Sequence, residues 1–244
     1  MEIIKSTWNG FERLDFQFEG REAILVLPKE ENKCDKWLLK TVYWDAFPQF
    51  EIEMVSHGWH LAFIKNVSRW GKEDDIDRMA RFAEFISYEF GLCEKCVPVG
   101  MSCGGLMAVK FGALHPNCVS CMFIDAPTLN LLSCPANMGT SQTPVSDFEE
   151  CMRDHGMTMS DLICYREHPI DKVPLMAESK IPVIMVYGNE DIIVPYAENG
   201  AVLERIYTKS GAPLKTICVE GRGHHPHGLN DNTPIIEFVL KHSN

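Results

Sequence analysis

The pentad Gly100-Met101-Ser102-Cys103-Gly104 places a serine between two glycines, each two residues away. A serine hydroxyl is a poor nucleophile until a base takes its proton, and the base needs an acid to orient it. The apolar run Val97-Pro98-Val99 precedes the pentad and the helix-forming Leu106-Met107-Ala108-Val109 follows it. This is the pattern of a sharp strand-to-helix turn that lifts the hydroxyl clear of the backbone. Glycine on either side lets strand and helix approach where a Cβ would collide. The partners of such a serine follow in the order acid, histidine, each just after a later strand. Both positions are filled, by Gly188-Asn189-Glu190-Asp191 and by Gly223-His224-His225-Pro226-His227. Ser102 is the expected nucleophile, Asp191 the orienting acid and His224 the base. Asp125, at the end of an apolar run, is the rival acid, and His225 is the rival base. Glu190 reads as a surface residue.

An acyl-transfer intermediate also needs two donors for its oxyanion. The backbone N–H of Cys103, directly after the nucleophile, is the expected first donor. The second is sought in residues 29–37, behind the apolar run that ends at Leu27, with Lys29 preferred. The Cys103 thiol itself is expected to pack against the helix.

Two other clusters suggest metals. Cys93/Cys96 and Cys118/Cys121 are Cys-x-x-Cys pairs, a spacing that resembles a zinc ribbon. Cys121 opens a buried strand, however, where residues three apart face opposite sides. The His-His-Pro-His run could also hold a metal, but Pro226 interrupts any helical ligand spacing and no neighbouring carboxylate completes a set. No metal and no cofactor is expected.

These residues require a scaffold of strands with their carboxyl ends on one side. Residues 14–18 alternate apolar and polar, and 23–27 form a continuous apolar run; both read as strands. Further strands are expected at 61–64, 97–101, 119–124, 181–187 and 216–219. Helices are expected near 50–56, 74–90, 197–209 and 234–241, the second carrying an apolar stripe closed by Gly91. Strands alternating with helices imply an α/β fold with a mainly parallel sheet covered on both faces. One domain over residues 1–244 is expected. Residues 128–180 break the rhythm and read as a cap or lid insertion. Its methionines, Met138, Met152, Met157, Met159 and Met176, read as core filling rather than an acyl pocket. Trp37, Tyr43 and Trp44 likewise read as core aromatics rather than a sugar platform.

The 244 residues carry a formal net charge of −11. With no cluster of Lys and Arg, neither nucleic acid nor an anionic membrane is an expected partner. No apolar stretch reaches spanning length, and the first residues lack a secretory pattern, so the expected location is the cytoplasm. The ten cysteines are then expected to be reduced thiols packed as small apolar groups.

Over nearly its whole length the chain resembles the α/β-hydrolase superfamily. More narrowly, it is similar to bacterial hydrolases of the esterase or prolyl-oligopeptidase-like type. The matching pieces are Asp125-Ala126-Pro127, Ser133-Cys134-Pro135, His168-Pro169-Ile170-Asp171-Lys172, Gly188-Asn189-Glu190-Asp191 and Gly223-His224-His225-Pro226-His227-Gly228. Some relatives carry Arg after the nucleophile, where this chain has Cys103. The resemblance implies serine-dependent ester hydrolysis through Ser102, Asp191 and His224. The expected substrate is a small, or carbohydrate-linked, carboxylic ester. The alternatives are a small peptidase of the prolyl-oligopeptidase-like type and a non-catalytic shell that holds a ligand under the insertion.

Overall fold

The computed structural model describes residues 2–243. Nine strands form one sheet: β1 (Ile4–Trp8), β2 (Phe11–Phe18), β3 (Arg21–Leu27), β4 (Trp37–Lys40), β5 (His60–Ile64), β6 (Val97–Met101), β7 (Met122–Asp125), β8 (Val183–Gly188) and β9 (Leu214–Val219). Their spatial order is β1-β2-β3-β5-β4-β6-β7-β8-β9. The first three strands and the β3–β5 pair are antiparallel, and every pairing from β5 to β9 is parallel. The helices are α1 (Gln49–Ser56), α2 (Glu73–Phe90), α3 (Cys103–Leu114), α4 (Val145–His155), α5 (Met159–Cys164), α6 (Pro169–Glu178), α7 (Gly200–Ser210) and α8 (Thr233–His242).

The helices cover both faces because parallel strands must be buried on both. On one face α2, α3, α6 and α7 enclose a core containing Leu39, Phe82, Leu106, Phe111, Met176 and Tyr207. On the other, α1 and α8 enclose a second core around Phe50, Met54, Val99, Phe123 and Ile235. Helix α3 is buried almost all round, which fixes the turn in front of it from every side.

The expected elements are present with shifts of a few residues at their ends. Four elements were not expected: β1, β4, α5 and α6. Strand β4 matters most, since it lies directly beside β6. Helix α6 belongs to the layer that packs on α3 and α7, while Cys134, Thr143, Pro144 and Asp147, the last in α4, line the cavity over Ser102. All ten cysteines are free, five of them buried. Among the described residues Cys93, Cys96, Cys118 and Cys121 form no metal-ligand cluster. No described helix is long and apolar enough to cross a membrane.

Candidate active site

Strand β6 ends at Met101, and α3 begins at Cys103. Ser102 alone makes the turn, with φ 53° and ψ −121°. A positive φ is costly for a residue with a Cβ, and three contacts hold it. The Ser102 amide donates to Asp125 O at 2.9 Å, and the Ser102 carbonyl accepts from Gly105 N at 2.9 Å and Thr128 N at 3.1 Å. Contact requires glycine at 100 and 105, whereas a Cβ at Gly104 would come only to 3.1 Å from Thr41 Oγ1. A Cβ at Gly100 would lie 2.2 Å from Gly104 O, and one at Gly105 would lie 2.5 Å from Pro127 Cβ.

The hydroxyl so presented meets the histidine. Ser102 Oγ lies 3.0 Å from His224 Nε2, and His224 Nδ1 lies 2.8 Å from Asp191 Oδ2. Both distances suit proton transfer without rearrangement. Asp191 is itself fixed, its other oxygen accepting from the amides of Ile193 at 2.9 Å and Val194 at 2.8 Å. The three side chains come from the ends of β6, β8 and β9, which bring residues 102, 191 and 224 to one end of the sheet. It is His224, not His225, that reaches Ser102.

Asp125 ends β7 but does not touch His224. Arg222 grips it with two bonds, Nη2 to Oδ1 at 2.6 Å and Nη1 to Oδ2 at 3.1 Å. The Gly228 amide adds a third at 2.6 Å, and His227 Nδ1 stands 3.5 Å from Oδ1. Both ends of the 222–228 segment are thus tied to one buried carboxylate, and His224 lies between them. Phe47 stacks on His225 and meets His227 edge-on. Burial, and then the nearby His224 and His227 rings, hold His225 below the ordinary histidine value.

A cavity of about 450 Å³ opens over Ser102. Its walls include Tyr43, Phe47, Arg69, Trp70, Cys134 and Asp147. Arg69 spans one wall: it donates to Glu150 Oε2 at 2.5 Å, Asp147 Oδ1 at 3.0 Å and the Tyr43 hydroxyl at 3.2 Å, and it lies over the Trp70 ring. Burial, and then the neighbouring Cys103, raise the Tyr43 pKa, so the phenol keeps its proton. Burial likewise raises the Cys103 thiol. A buried neutral thiol is a poor nucleophile, in keeping with its packed position.

Cys103 is the first residue of α3, so its amide has no carbonyl one turn back and is free to donate. Lys29 is exposed, at the start of a short 3-10 turn after β3, and is not among the residues lining the cavity. The loop that reaches the cavity follows β4, the immediate neighbour of β6, and contributes Tyr43, Ala46 and Phe47. Sequence reading did not find Tyr43 or Arg69 as site residues. The signal available for Tyr43 was the short apolar run at 37–39 that ends four residues before it. Trp37 is fully buried, and Trp44 packs between Trp8 and Phe63. None of the five methionines at 138–176 lines the cavity.

A mostly parallel sheet, a strained serine turn after a central strand and an imidazole–carboxylate pair from later strands define an α/β-hydrolase. The model of the prolyl oligopeptidase family matches residues 54–243. The chain belongs to this family of serine hydrolases. Curated sequences give no match. Among solved structures it is similar to a puromycin hydrolase, with 19% identity over 92% of this chain and a TM-score of 0.66. An acylaminoacyl peptidase of Pyrococcus horikoshii matches 99% of this chain at 14% identity, with a TM-score of 0.69. A puromycin-hydrolyzing peptidase of Mycobacterium tuberculosis matches 88% at 14% identity, with a TM-score of 0.71. The chain spans 36% to 41% of the length of these three.

Proposed function

We propose that this protein hydrolyses the acyl bond of a small aminoacyl or short-peptide amide through a Ser102 acyl-enzyme. The observation that carries the chemistry is the relay itself, Ser102 to His224 at 3.0 Å and His224 to Asp191 at 2.8 Å. The family supports amide over ester as the bond cleaved, since its structural relatives are named for peptidase and puromycin-hydrolysing activity. The ester expectation therefore becomes the second arm of the test.

In the proposed reaction Ser102 Oγ attacks the carbonyl carbon while its proton passes to His224 Nε2. Asp191 holds Nδ1–H and stabilises the imidazolium. The carbonyl oxygen, now negative, is met by the Cys103 amide and the Tyr43 hydroxyl. Tyr43 suits that role because burial keeps its phenol protonated, while the oxygen accepts from Arg69 and leaves the hydroxyl proton to give. His224 returns its proton to the leaving amine as the C–N bond breaks. Water, deprotonated by His224, then releases the acid and frees Ser102.

A fluorophosphonate probe should label the native chain and leave Ser102→Ala unlabelled. A native chain that does not label would sink the proposal. Comparing kcat/KM for aminoacyl p-nitroanilides and short p-nitrophenyl esters then decides the bond: with amide activity absent and ester activity present, the ester reading replaces this one.

A further inference from the structure

Three imidazoles meet at the mouth of the relay. One ring nitrogen from each of His224, His225 and His227 lies within 4.8 Å of the other two. Their ring centroids are 4.8, 5.0 and 4.9 Å apart, at interplanar angles of 66°, 84° and 84°. That is a three-bladed arrangement rather than a stack. We propose that these three histidines form a binding site for a late first-row divalent cation, zinc above all, and that the bound cation switches hydrolysis off by occupying the base.

Two features carry this beyond proximity. Histidines that ligate metals commonly direct their second ring nitrogen at a carboxylate, which fixes tautomer and orientation. Asp191 does this for His224, leaving Nε2 as the ligand nitrogen, and Asp125 stands 3.5 Å from Nδ1 of His227. That buried Nδ1 makes no hydrogen bond. Phe47 restrains the other two rings, face-on to His225 and edge-on to His227. Asp191 therefore serves behind the His224 ring, Asp125 lies behind His227 while bonded to Arg222 and Gly228, and neither is needed as a ligand. The objection from helical spacing falls as well, because the segment is a loop.

The geometry is close to what zinc needs. Zinc–nitrogen bonds of about 2.0–2.1 Å put tetrahedral ligand atoms about 3.4 Å apart. Closing from 4.8 Å takes rotations about χ2, which is a soft torsion in histidine. Ser102 Oγ, 3.0 Å from His224 Nε2, stands beside the fourth position. A cation on Nε2 uses the lone pair that would accept the serine proton. No bond is made or broken in the protein, and a chelator reverses the block.

The inhibitory half of this inference rests on the proposed function, whereas the binding half does not. Zinc binding is therefore measured by calorimetry on full-length Ser102→Ala, which keeps all three histidines. His225→Gln and His227→Gln are compared in that background, His225 being the exposed member whose change leaves the buried contacts alone. One zinc per chain is expected, weakened at least tenfold by either change. Cobalt in place of zinc should give visible bands without the sulfur charge-transfer band that cysteine ligation produces. In the native chain one equivalent of zinc should stop fluorophosphonate labelling, EDTA should restore it and magnesium should have no effect. Zinc binding indifferent to both histidine changes, a sulfur band, or full labelling with zinc bound would each overturn the inference. Histidine-dependent binding in a chain that never labels would instead sink the hydrolase reading and leave the cation site standing.

Discussion

At the Ser102 turn the threat is a methyl group, and at the histidine loop it is a lost charge. The turn is shaped by contact: Gly100 faces the Gly104 carbonyl, Gly105 faces Pro127, and a Cβ at either would overlap atoms that cannot move aside. The loop bearing His224 is packed this closely at its start, where a Cβ at Gly188 would lie 2.1 Å from Arg222 O, and beyond that point it is held by charge. It leaves β9 and is fixed where Arg222 and the Gly228 amide close on Asp125. The nucleophile is thus placed by sterics, and the base by a close backbone approach at Gly188 together with the ion pair that closes the loop. Close packing resists small displacements steeply. An ion pair holds its ends only as long as both partners are present.

Ser102→Ala removes chemistry from a turn left intact and has the largest expected effect. Loss of kcat/KM should be about 10⁴- to 10⁶-fold, with the denaturation midpoint nearly unchanged. A stability loss of several kcal/mol would mean that the hydroxyl holds the turn together. Gly100→Ala should do the opposite. The new Cβ meets a backbone oxygen, so strand or helix must shift, and we expect a cost above about 5 kcal/mol, comparable with the stability of a whole domain. Soluble, cooperatively folding Gly100→Ala protein would refute the steric account.

Arg222→Met tests the other side of the comparison. It leaves a buried carboxylate without its cation, at a cost of about 3–5 kcal/mol by urea unfolding. Adding Asp125→Leu should recover most of that, because a matched apolar pair replaces the ion pair. Catalysis should not recover: the Gly228 amide has lost its acceptor, and kcat should stay low while KM moves less. If the double variant regains full kcat, the pair holds the fold and not the base.

The same division explains what could be read from the residues alone. Ser102, Asp191 and His224 were legible because each stands at a strand end marked by glycine, and chain order did the rest. The loop opposite them was misplaced by one strand. Strand β4 is only four residues long and ends in Lys40, which reads as surface. In the fold Lys40 is buried and pairs with Glu51 of α1, a partner eleven positions away that no local pattern announces. Without β4, the second oxyanion donor was sought behind β3, at Lys29, whereas the loop that lines the cavity beside Ser102 follows β4. Arg69 was invisible for a similar reason, since Asp147 and Glu150 lie 78 and 81 positions away. The charge clamp on Asp125 was hidden too: Arg222 and Asp125 are 97 residues apart.

The smallest effect separates acid sensitivity of the fold from that of the histidine loop. His60 opens β5 and is 1% exposed, and its Nδ1 has no hydrogen-bond partner. Burial lowers its pKa to about 4, against about 6.5 when unfolded. The folded chain then binds fewer protons than the unfolded chain between those values. Stability falls as pH drops from about 6.5 to 4 and changes no further, on this account, below that. His60→Leu removes the group that must be protonated on unfolding, so its unfolding free energy should decline less over that interval than the native chain's. Activity measured at pH 7 should hardly change, since His60 is not among the residues lining the cavity. Parallel pH–stability curves for the two proteins would move the acid sensitivity elsewhere, with His225, which burial holds below the ordinary histidine value, as the next place to look.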